Sequence, residues 1–131
     1  MSWNIESDLK KALRSLKNQG ISVNEEQIPP DGPVFFVNIP PNGFALTQSQ
    51  ILKLYEERQL DSLGIKDFAL REKTNIESDI RSALELVGNE QLCAWTEQQI
   101  CEYVNDHFKR VHSIRQVRTV LNRLAVSYRR S

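Results

Sequence analysis

Apolar residues recur at helical spacing in two stretches that open on the same word, Asn4-Ile5-Glu6-Ser7-Asp8 and Asn75-Ile76-Glu77-Ser78-Asp79. Ile5, Leu9, Ala12, Leu13 and Leu16 match Ile76, Ile80, Ala83, Leu84 and Val87. Each copy offers Asn as a cap and puts acids in the first turn, where the helix dipole favours them. Gly20 and Gly88 stand where the two helices should end.

A second pair of stretches matches in the same order. Phe44 to Tyr55 resembles Cys93 to Val104: Ala, a large apolar residue, Thr, two positions, Gln, then Ile. Thr47 with Gln50, and Thr96 with Gln99, have the spacing of capping boxes; Leu46 and Trp95 can staple onto Ile51 and Ile100. In that register Gly64 to Phe68 falls on Ser113 to Val117, the start of a third helix in each copy. These ordered matches predict a mainly α chain of two pseudo-repeated three-helix units, residues 1–73 and 74–131, either as one compact body or as two lobes.

The first copy carries an insert over about residues 20–43, too rich in Pro and Gly for a long helix. Val34 to Ile39 reads as a strand, with Ile21 to Val23 as a possible partner; IPPDG and IPPNG bracket it as turns. A β-hairpin or single strand is therefore expected there.

Composition narrows the class without naming a function. A hydrophobic fraction of 40% and 26% charged residues suit a folded protein. No apolar run spans a bilayer and the start lacks a signal-peptide core, so a cytoplasmic protein with no membrane partner is expected. Two cysteines make no disulfide framework.

Charge is zero in sum but divided along the chain. All 17 acidic residues lie at or before Asp106; Lys109, Arg110, Arg115, Arg118, Arg123, Arg129 and Arg130 follow without one acid. A basic last turn suits a helix dipole, which accounts for Arg129 and Arg130 but not for cations near a helix start. With a helix over residues 113–129, Ile114, Val117, Leu121, Leu124 and Tyr128 form an apolar seam. Arg115, Arg118, Thr119, Asn122 and Arg129 lie opposite.

This arrangement resembles the helix-turn-helix superfamily in its three-helix form, on T-E-Q-Q-I (Thr96 to Ile100) and S-I-R-Q-V (Ser113 to Val117) with Leu121 and Leu124 beyond. The resemblance implies a recognition helix entering the major groove of double-stranded DNA. Arg115 and Arg118 would then meet guanine, Gln116 or Asn122 adenine, and Thr119 a thymine methyl or a phosphate. Lys109, Arg110 and the amides at the Ser113 cap would hold phosphates, with His112, Arg123, Arg129 and Arg130 completing the basic surface. Such a protein would regulate transcription or a mobile element.

Single strands are less well served, because only Phe108 and Tyr128 lie near the cations and both fit the core pattern. Cys93, Cys101, His107 and His112 lack the spacing of a zinc site; a small buried thiol and a surface imidazole are the plainer reading. Neither a phosphate loop nor a nucleophile motif is present, so no enzyme, metal or cofactor is expected. The first copy offsets Lys66, Arg71 and Lys73 with Asp61, Asp67 and Glu72, and suits a dimer or protein contact. The alternative function is accordingly a non-enzymatic adaptor or inhibitor using the acidic first unit and its Pro-rich insert, with the strand Val34 to Ile39 pairing edge to edge with a partner. Neutralisation of Arg115 or Arg118 by Glu97, Glu102 or Asp106 would weaken the DNA reading.

Overall fold

A computed structural model describes residues 5–130. Asn4, expected as a cap, lies outside the described residues, as does the Ile5 side chain. The elements run α1 (Ile5–Asn18), β1 (Ser22–Ile28), β2 (Gly32–Ile39), β3 (Asn42–Thr47), α2 (Gln48–Glu56), α3 (Ser62–Val87), α4 (Asn89–Leu92), α5 (Glu97–Phe108) and α6 (Ile114–Arg123). The chain divides into two compact units, Met1–Ala69 and Leu70–Ser131. The expected boundary at 73/74 falls inside α3.

The mainly α expectation is overturned: the insert is a three-stranded antiparallel meander, and the fold is mixed α/β. Ser22 pairs with Asn38 and Val23 with Val37, the partners expected, but a third strand takes Phe44, Ala45 and Leu46. These residues had read as the approach to a helix. Ala45 opposite Phe36 shows that cross-strand pairing claims them before the cap at Thr47.

In the first unit β2 is central and alternates. Phe35, Val37 and Ile39 point into a core with Ala12 and Leu16 of α1, Ile51 and Leu54 of α2, and Ile65 of α3. Phe36 and Asn38 face outward, as one-sided antiparallel sheets require. Gly20, at φ 78°, ends α1 with Ile21 N–H reaching the Leu16 carbonyl and Gly20 N–H that of Lys17, a Schellman close.

The second correction concerns the repeat itself. The third helix of the first copy and the first helix of the second are one continuous helix, α3. Asn75 is thus interior and caps nothing. The start is set by Asp61, whose Oδ1 accepts from Gly64 N–H at 2.7 Å; a Cβ at Gly64 would collide with the Gln59 carbonyl. No Pro or Gly interrupts the chain between Gly64 and Gly88, so nothing stops propagation once the turn is formed.

The core of the second unit joins Ile76, Ile80 and Ala83 of α3 to Leu92, Ile100, Val104, Val117, Val120 and Leu121. The expected capping boxes at Thr47/Gln50 and Thr96/Gln99 are both present. The last helix is shorter than expected, ending at Arg123 and not at residue 129. Ala125 turns left-handed at φ 55°, Val126 N–H bonds Leu121 O and Ala125 N–H bonds Asn122 O. This is again a Schellman close, here without glycine. The chain then runs on to Arg129, whose N–H reaches the Trp95 carbonyl at 2.7 Å, and Tyr128 leaves the helical seam.

Candidate nucleic-acid interface

Charged groups of the second unit collect on the solvent face of α6 and in a buried network behind its first turn. The network lies on the core side of α3. Glu72 and Asp79 are seven residues apart, on the stripe that carries Ile76, Ile80 and Ala83, and both are buried. Between them lies the fully buried ring of His112, from the turn joining α5 to α6. Its Nδ1 meets a Glu72 carboxylate oxygen and its Nε2 lies 2.8 Å from Asp79 Oδ2. Arg110 Nε donates to that same Asp79 oxygen at 3.1 Å. Two cations thus balance two carboxylates.

The turn is also fastened to α5. Asn105 Oδ1 accepts from His112 N–H at 2.8 Å, while Asn105 Nδ2 and Cys101 Sγ donate to the His112 carbonyl. Burial opposes the charged imidazolium, but hydrogen bonds and charge from Glu72, and then from Asp79, outweigh it and hold the His112 pKa above its ordinary value. With a carboxylate on each nitrogen, the protonated ring has no lone pair left for a metal or a proton relay. Its work is to position the start of α6.

His112 is therefore not the surface imidazole expected from sequence. The carboxylates it needs were also missed. Their signal was present, since Asp79 sits at the core spacing from Ile76 and Ala83, where an acid demands a buried partner.

Ser113 and Gln116 likewise turn inward to a local task. Ser113 Oγ accepts from Gln116 N–H at 3.0 Å and Gln116 Oε1 accepts from Ser113 N–H at 3.3 Å, a third capping box. Ser113→Ala is expected to lower the stability of this unit by about 1 kcal/mol, measured by urea unfolding.

The solvent face of α6 carries Arg115, Thr119, Asn122 and Arg123, all exposed, with Arg118 half-buried beside them. Arg118 donates to the buried Glu97 at 2.9 Å, the neutralisation that was expected to weaken the DNA reading. Thr119 Oγ1 donates to the Arg115 carbonyl, and Asn122 Oδ1 accepts from Tyr128 O–H. Lys109, left-handed at φ 56°, is exposed at the head of the turn, and Arg129 and Arg130 are exposed in the segment that follows α6. The Arg130 guanidinium stacks over Tyr128 at 5.9 Å.

Comparisons with protein families, with curated proteins and with solved structures find no match for this chain. Among the described residues no helix is long and apolar enough to cross a membrane, and no three His, Cys, Asp or Glu converge to hold a metal ion.

Proposed function

We propose that the second unit binds duplex DNA through the solvent face of α6, as a regulator of transcription or of a mobile element and without catalysis. The observation that carries this reading is the exposure of Arg115, Thr119 and Asn122 on one face of a capped helix. No acid occurs on α6 or after it. Lys109 before the helix and Arg129 and Arg130 after it extend the positive surface, the usual footprint of backbone contact. Arg115 is the main reader in this scheme. Arg118 braces α6 against α5 through Glu97 and contributes less.

Binding of a labelled mixed-sequence duplex across a salt series tests this. Affinity should fall steeply with salt, by about 0.9 log unit per log unit for each phosphate contacted. Arg115→Ala should weaken binding by about tenfold. Absence of binding at low salt would sink the proposal.

A second reading rests on β1, because Val34 to Ile39, the strand expected to pair with a partner, is the central strand β2 with a neighbour on each side. β1 is an outer strand of the meander, exposed over Asn24–Gln27 and carrying Glu25 and Glu26. An edge of this kind can accept a strand from a protein partner or a second copy.

A further inference from the structure

In the second unit α3 and α6 flank a shallow open groove. Along α3 it is lined by two rows at four-residue spacing, each step rising about 6 Å. One row is the hydroxyls of Thr74, Ser78 and Ser82; the other is Lys73, Glu77 and Arg81. Arg123 enters from α6, and Glu85 closes one end.

At the centre the Glu77 carboxylate divides between two guanidiniums. Oε1 accepts from Arg81 Nη2 at 3.1 Å and Oε2 from Arg123 Nη2 at 3.2 Å. All three side chains are open to solvent, and exposed pairs of this kind hold weakly. Two forked donors on a single carboxylate are also an arrangement that receives phosphate oxygens.

We propose that this groove is a second contact for the nucleic-acid backbone, in which Glu77 holds Arg81 and Arg123 in the free protein and yields them to a phosphodiester. The inference rests on the α6 reading above and extends it, because Arg123 belongs to both surfaces. Lys73 and the hydroxyl row continue the contact along α3, away from the base-reading face. The groove adds affinity and salt dependence, not sequence choice.

The test uses the full chain, the same duplex and the same salt series, with Arg81→Ala, Arg81→Lys, Glu77→Gln and Arg115→Ala. Arg81→Ala should weaken binding about threefold or more and reduce the salt slope by about 0.9, whereas Arg81→Lys keeps the slope. Glu77→Gln should bind more tightly than the wild type, because the competing carboxylate is gone. Circular dichroism checks that each variant keeps its helices. If Arg115→Ala weakens binding while Arg81→Ala and Glu77→Gln match the wild type, the groove proposal is overturned and the α6 reading stands. If the wild type does not bind at low salt, both fall.

Discussion

His112→Gln is expected to leave the second unit largely unfolded at neutral pH. A glutamine amide is uncharged and cannot donate to Glu72 and Asp79 from opposite sides as the imidazolium does, so the two buried carboxylates keep only the Arg110 cation between them. Removing one member of a buried ionic group costs about 3–5 kcal/mol. A unit of roughly 60 residues has about 3–9 kcal/mol in all, at typical values per residue. Leaving α5 and α6 without their shared anchor would also release the start of the candidate DNA-reading helix. Unfolding of the variant by urea, followed by circular dichroism, measures the loss; a midpoint equal to that of the wild type would refute the role given to His112.

The same network makes stability depend on pH in a stated direction. The groups facing His112 are Glu72 and Asp79 from α3, with Arg110 beside Asp79; Cys101 and Asn105 of α5 hold its backbone. Its folded pKa lies above the unfolded value of about 6.5. The contribution is therefore fully present below about pH 6.5 and is lost as pH rises through the folded pKa. Urea midpoints of the wild type should fall from about pH 6 to about pH 9. A wild-type midpoint flat over that range would contradict the assignment.

Thr74→Pro carries the next largest effect, because it separates one helix from two. Thr74 is exposed, so the substitution removes little side-chain packing. In a continuous α3 proline removes one backbone hydrogen bond and strikes the carbonyl of Leu70, at about 3 kcal/mol or more. If a helix instead ended near Lys73 and a new one were capped by Asn75, proline would sit in the connection and cost little. Thermal unfolding of the two proteins distinguishes these cases, and an unchanged Tm would restore the two-helix reading.

Local signals were legible where one residue answers a near neighbour. The capping boxes at Thr47 and Thr96, the cap at Ser113 and the stop at Gly20 each depend on partners within a few residues, and all are present. The strand over Val34 to Ile39 was equally plain, being β-branched, aromatic and bracketed by Pro-Gly turns. The third strand and the continuity of α3 were not. Phe44-Ala45-Leu46 suits a strand or a helix approach, and only the neighbouring β2 decides between them. Asn75 is a good cap in isolation, but a helix already running through it needs none.

The site divides along the same line. Charge order along the chain placed the basic segment after Asp106, because net charge needs no coordinates. Which of those cations meet an acid was settled by contacts distant in sequence: Arg118 on Glu97, Arg123 on Glu77, and Arg110 with His112 on Asp79. NIESD shows both halves of the matter. Its helical character follows from spacing alone, and Ile76 falls in the core as that spacing requires. Its last residue, Asp79, lies on the buried stripe, and only the packed turn from α5 to α6 supplies the His112 and Arg110 that make its charge tolerable there. Periodicity and caps act over one or two turns and are written in the chain. Partners for a buried charge come from wherever the fold brings them, so tertiary structure decided those.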